Sequence, residues 1–149
     1  MDKNSFKMVD IGDKEVVFRT AQATGFIKLT KNTVKAIVDG IITKGDPLTI
    51  AEIACLQAVK KTSDLIPLCH NIPISSVDAN FIILEDGVEA RCQVNAYYKT
   101  GVEMEALTGV TVALLTIWDM VKYLEKDSKG QYPETSITDI HVLEKRKGS

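Results

Sequence analysis

Cysteine, histidine and tryptophan are scarce in this chain, with three, two and one in 149 residues, and what that scarcity excludes is informative. Cys55, Cys69 and Cys92 are odd in number and nowhere spaced as Cys-x-x-Cys. A zinc ribbon, a thioredoxin-like redox pair or a disulfide scaffold is therefore not expected, and reduced thiols in a cytoplasmic protein are. No His-Glu-x-x-His, Gly-x-Ser-x-Gly, EF-hand, P-loop or Gly-x-Gly-x-x-Gly pattern occurs, so the usual metal and nucleophile-elbow chemistries lose their support. No uninterrupted apolar run approaches the roughly 18 residues of a bilayer span, and the opening MDKNSFKMVDIGDKE has no apolar leader core. A charge surplus is missing too. Eighteen Lys and Arg against twenty Asp and Glu leave a net charge of -2, no field for nucleic acid or an anionic membrane.

What is present suffices for one folded unit, since 45% of the residues are hydrophobic. A flexible segment is expected over 1–14, a single catalytic α+β domain over 15–145 and a flexible tail over 146–149. Residues 15–29, rich in Val, Phe, Ile and Thr, predict a strand with Gly25 as a bulge. Thr30 caps a short helix that stops at Gly40. Asp46-Pro47 opens a second helix whose apolar face is read as Ile50, Ile53, Ala54, Gln57 and Ala58. Two extended runs, 74–85 and 88–99, flank Asp86-Gly87, the strongest hairpin signal in the chain. A long helix and a last strand over 137–145 follow. The order βααββαβ predicts a ferredoxin-like antiparallel sheet with helices on one face and an extra helix in the first crossover. Phe81, Ile83 and Tyr97 or their neighbours would leave an apolar sheet face that a second subunit could cover.

The long helix carries acids where packing disfavours them. Thr100 and Glu103 have capping-box spacing, which offers Glu103 a structural role; Glu105 and Asp119 have none. Fourteen positions at 100° each bring these two within about 40° of one face, on a stripe with Thr108, Val112 and Leu115, yet roughly 21 Å apart along the axis. A shared site must hold a long ligand, bend the helix or draw one end from a second subunit. Asp119 and Lys122 form an i, i+3 pair that Trp118, Met120 and Val121 would desolvate. Lys44 sits on a tight loop before a helix, where it suits phosphate or proton transfer or is merely a surface turn. His70 is held between Pro67 and Pro73. Adjacent Cys69 points away from it in an extended chain, so a Cys-His nucleophile is not expected. Lys145, Arg146 and Lys147 read as a solvated tail unless an anion or a subunit meets them. These residues suit acid/base work on an anionic ligand and name no substrate.

The blocks KGDPLTIAEIACLQAVKKTSDLIPLCHNIP, TGVEMEALTGVTVALLTIWDMVK and VLEKRKG, in that order, resemble the family of molybdenum cofactor biosynthesis protein C, the cyclic pyranopterin monophosphate synthases. The likeness runs from Met8 onward. It implies rearrangement of 3',8-cyclo-7,8-dihydro-GTP to cyclic pyranopterin monophosphate with loss of pyrophosphate, in a homohexamer built as a trimer of dimers with sites at dimer interfaces. It implies no required cofactor, Mg2+ being compatible as a companion of the triphosphate or pyrophosphate. Carried over by position, Lys44, Asp119 and Lys122 are the catalytic candidates. Arg19, Leu68, Cys69, His70, Glu103, Met104, Glu105 and Lys145 are the substrate-binding ones, with Lys147 a rival to Lys145. Arg19, His70 and Lys145 are assigned to the triphosphate, and the two glutamates to the guanine-derived edge or to orienting Lys44. The competing readings are a non-enzymatic oligomeric nucleotide- or pterin-binding regulatory module, and a cyclase acting directly on GTP.

Overall fold

In the computed structural model residues 5–148 are described. The element order is β1 (Val17–Lys28), α1 (Lys31–Val38), α2 (Pro47–Lys60), the short α3 (Thr62–Leu65), β2 (Ser76–Leu84), β3 (Gly87–Tyr98), α4 (Glu103–Glu125) and β4 (Ser136–Lys147). The strands form one antiparallel sheet ordered β2-β3-β1-β4. Helices α2 and α4 pack together, and α4 lies across one face of the sheet. This is the ferredoxin-like α+β architecture, with α1 and α2 in the first crossover as the element order predicts and the short α3 in addition. Local signals act where they were read. The Thr30 hydroxyl accepts from the Thr33 N–H, and Asp46 accepts from Leu48 with proline following.

The core is built from small residues. Ala21 and Ala23 of β1 pair with Val94 and Cys92 of β3 in register, and all four are buried beneath α4. A Cβ on Gly109 of α4 would sit 2.8 Å from Val59 and 3.0 Å from the sulfurs of both Cys55 and Cys92. The close approach of α4 to α2 and to the sheet therefore requires glycine there. It also relocates the apolar face of α2. Ala51, Cys55, Ala58 and Val59 are buried, while Ile50 and Ile53 are 41% and 51% exposed, because small side chains, not large ones, permit the contact.

Other expectations are corrected. Gly25 is not itself the bulge. The β1–β4 register slips at Gln22/Ala23 and at Thr24/Phe26, with the extra residues on β4, where Asp139 has a φ of 60°. Gly25 instead faces α4, where a Cβ would lie 2.7 Å from Leu114. Phe81 packs against the helix-side core, and its register places Ile83 on that side too; Ile82, Leu84 and Tyr97, with Phe18 and Phe26 of β1, are apolar side chains on the open face. The capping box does not form, since Val102 is the N-cap of α4 and no side chain caps it. Strand β4 runs through Lys147, so Arg146 and Lys147 pair with Thr20 and Arg19 instead of fraying. Residues 5–14 are irregular, yet the Val9 carbonyl accepts from His70 and that of Gly12 from Lys99. The flexibility expected of residues 1–4 and of Ser149 lies outside the described residues. Finally, α4 has the length and composition of a membrane span, although Glu105 and Asp119 interrupt its apolar run short of that length. Its buried face, from Ala106 through Val110, Leu114 and Ile117 to Val121, makes it the core helix here.

Replacing Gly109 by valine should lower the free energy of unfolding by about 2 kcal/mol or more, through overpacking against Val59 and the two cysteines. Urea denaturation of the variant checks this, and an unchanged midpoint would contradict the close approach.

Candidate active site

The candidate residues collect at the two ends of α4. At its start, the loop after β3 turns Glu103, Met104 and Glu105 toward the segment Leu68-Cys69-His70, and all six line one cavity of about 440 Å³. Lys145 reaches it from β4, its ammonium 3.2 Å from Glu103 Oε1. The other Glu103 oxygen is buried with no hydrogen-bond partner among the described residues. His70 Nε2 lies 2.6 Å from the Val9 carbonyl. A carbonyl only accepts, so that nitrogen carries a proton. Arg19 stands behind the cavity, nearly buried. Its guanidinium donates to the carbonyls of Tyr98 and Lys99, at 3.4 and 3.2 Å, and so braces the loop that presents Glu103.

Near the far end, Asp119 is held between two ammonium groups. Lys122 Nζ is 3.1 Å from one carboxylate oxygen and Lys44 Nζ 3.3 Å from the other. Lys44 also donates to the Asp119 carbonyl at 3.0 Å. Asp119, Lys122 and Leu115 share a shallow cavity with Trp118 and Tyr132, whose rings meet edge to face at 5.2 Å. The expected desolvation is not present. The Asp119 side chain is 59% exposed and that of Lys122 40%, because Met120 and Val121 turn into the core.

The two ends are electrostatic opposites. Burial pushes the Glu105 carboxyl up from its ordinary 4.5 to about 7, against a hydrogen bond from its own backbone and with the Glu103 charge adding to the rise. At the far end, hydrogen bonds from Lys122 and Lys44 hold the Asp119 carboxyl below its usual range. Burial, together with Glu105 and Glu103, raises the Cys69 thiol, which keeps it protonated and a poor nucleophile. Glu103 and Glu105 do not orient Lys44 within one chain; Asp119 does.

Residues 8–148 match the MoaC family. The chain belongs to the MoaC family. It is 62% identical over 147 residues to a probable cyclic pyranopterin monophosphate synthase of Pyrococcus horikoshii, covering 99% of this chain and 92% of that protein. To the one from Saccharolobus solfataricus it is 54% identical over 141 residues, 95% of each chain. A relative in Methanothermobacter thermautotrophicus, 53% identical over 146 residues, covering 98% of this chain and 92% of that protein, carries the name probable cyclic pyranopterin monophosphate synthase accessory protein. In this MoaC chain the blocks LIPLCH and TGVEMEAL build the first cluster, and KGDP with WDMVK the second.

Sequence reading missed three groups of this MoaC chain. Lys7 and Lys14 line the first cavity from a segment without periodicity, and Tyr132 faces Trp118 from the loop after α4. Only the bunching of lysine before the first strand hinted at the first two.

Glu105 supplies a pH signature. Between about pH 4.5 and 7 the folded chain holds a proton that the unfolded chain has released, so stability falls as pH rises through that window. The full effect is roughly 3 kcal/mol for a shift of this size. Glu105→Gln should remove most of this slope in thermal unfolding measured from pH 4.5 to 8; parallel curves for variant and wild type would contradict the raised value.

Proposed function

We propose that this chain converts 3',8-cyclo-7,8-dihydro-GTP to cyclic pyranopterin monophosphate with release of pyrophosphate, in molybdenum cofactor biosynthesis, at sites each completed by a second copy. The observation that carries the reading is the split of the family's motif residues into two half-sites about 21 Å apart along one unbroken helix. One small molecule does not bridge that distance along the outside of an unbroken helix. Two copies placed with the start of one α4 facing the end of another bring the halves together. A trimer of dimers is the assembly proposed.

The first half-site fits an anionic nucleotide. Lys7, Lys14 and Lys145 offer donors to phosphate oxygens, and the Nε2–H of His70 joins them once the ligand displaces the Val9 carbonyl to which it donates. The unpartnered Glu103 oxygen offers an acceptor to the N–H groups of a guanine-derived edge, and Glu105 can hold or yield a proton near neutral pH. Arg19 contributes by bracing the loop.

The second half-site moves protons. A carboxylate held low by two ammonium groups is a weak base near neutral pH, so Asp119 orients Lys44 and Lys122, and the lysines exchange protons with ring nitrogens and the carbonyl oxygen as the purine opens and the pterin closes. Attack of a sugar hydroxyl on the α-phosphate forms the cyclic monophosphate and expels pyrophosphate, whose charge the cations of the first half-site neutralise. No group of three or more His, Cys, Asp or Glu among the described residues is placed to hold a metal ion; in this proposal no resident cofactor is needed, and Mg2+ enters as the companion of the triphosphate or pyrophosphate. A soluble, cytoplasmic location belongs to the same proposal.

The test is anaerobic incubation with the cyclised nucleotide, following pyrophosphate and the pterin product, with GTP as the control. Lys44→Ala, Lys122→Ala and His70→Ala homo-oligomers should each lose about a hundredfold or more in turnover. Lys122→Ala co-expressed with His70→Ala should regain a substantial fraction of activity, because some sites then draw both intact halves from different copies. Product from GTP alone, or binding without product, would overturn the synthase reading; no regain in the mixed oligomer would overturn the shared site.

A further inference from the structure

Lys44 is carried by a tight turn, Ile42-Thr43-Lys44-Gly45, closed by the Gly45 N–H donating to the Ile42 carbonyl at 3.1 Å. Gly45 has a φ of 121°, which a larger residue would adopt only with strain. Ile42 is buried and Asp46 caps α2, so both ends of the turn are fixed. Thr43 and Lys44 project from it into solvent. The ion pair with Asp119 directs Lys44 only loosely by itself, since the two side chains are 44% and 59% exposed and such pairs contribute little.

A firmer link lies one residue earlier. The backbone N–H of Thr43 donates to the Tyr123 hydroxyl oxygen at 2.9 Å, and the Thr43 hydroxyl lies 3.1 Å from the same oxygen. A bond to the main chain restrains the turn itself, where a bond to the lysine would restrain only a flexible tip. Tyr123 stands four residues beyond Asp119 on α4, hence on the same face and about 6 Å further along. The helix thus grips the turn twice, at Thr43 through Tyr123 and at Lys44 through Asp119.

We propose that Tyr123 is a positioning residue, whose hydroxyl clamps the main chain at Thr43 and thereby aims the Lys44 ammonium at Asp119 and the reacting ring. This rests on the reading of Lys44 as part of the chemistry, and Tyr123 needs no contact with substrate. The Tyr123 side chain is partly exposed, and removing its hydroxyl opens the Thr43 N–H to water, so the fold survives its loss. The aim of Lys44 does not survive it.

Tyr123→Phe tests this. The expected result is a fall in kcat of about ten- to a hundredfold, the scale of a misplacement near 1 Å, with KM and the thermal midpoint close to wild type. Losing the Lys44 restraint also frees Asp119 from one of two cations, so the acid limb of kcat/KM moves to higher pH. Acetylation of Lys44 by acetic anhydride, read by mass spectrometry against Lys31, rises in the variant. Wild-type kcat with an unshifted acid limb would overturn the proposal, as would a loss of activity that merely follows a lowered midpoint with Lys44 acetylation unchanged. Should the wild type release no pyrophosphate, the synthase reading fails by itself, and the acetylation comparison still decides whether Tyr123 restrains Lys44.

Discussion

The packing of α4 against the sheet and against α2 sets the terms for the rest of the molecule. Glycine at 109 and small residues at 51, 55 and 58 let the helix settle close to its neighbours, and alternating alanines on β1 and β3 give it a shallow bed. A helix seated so closely runs unbroken from Glu103 to Glu125. The acids at its two ends are thereby kept apart, whatever the ligand. If helix α4 were bent or loosely packed, one chain would be able to fold both ends around a nucleotide; with the helix as built, the proposed site draws its two parts from the ends of different helices.

That division suits the charges. At the start of α4 a carboxyl is buried and raised to about 7, beside a second carboxylate that keeps one oxygen unpaired. Near its end a carboxylate stays ionised in the open between two lysines. Glu105 is tuned by desolvation and Asp119 by its partners, so the two respond differently when a second copy or a substrate covers them. In the proposed shared site, covering the Lys44–Asp119–Lys122 cluster would remove water and strengthen the coupling among its charges, which is what proton transfer there requires. A nucleotide bound at the proposed first half-site would supply Glu103 with the donor it lacks.

The parts of the fold legible in the sequence are those decided over a few residues. Asp46-Pro47 starts a helix, Thr30 caps one and Asp86-Gly87 turns a hairpin because each acts on its immediate backbone. The parts that were not legible depend on what a residue meets far along the chain. Ile50 and Ile53 read as the buried side of α2, and it was the size of Gly109, more than fifty residues away, that placed Ala51 and Cys55 there instead. Thr100 and Glu103 have capping spacing, yet Glu103 is drawn to Lys145. For the site, the lysines, histidine and acids were readable from motifs that resemble a family. Their separation into two clusters was implicit in helical geometry. The bracing by Arg19 and the grip of Tyr123 on Thr43 were not, since each joins residues some eighty positions apart.

The most direct measurement is a crystal structure of the Asp119→Asn protein soaked anaerobically with 3',8-cyclo-7,8-dihydro-GTP, read for which copy supplies each contact. The account predicts two ligands per two-fold interface, each with its triphosphate at His70 and Lys145 of one copy and its ring beside Lys44 and Lys122 of the other. A ligand contacted at both ends by residues of a single copy, or bound away from both clusters, would contradict it.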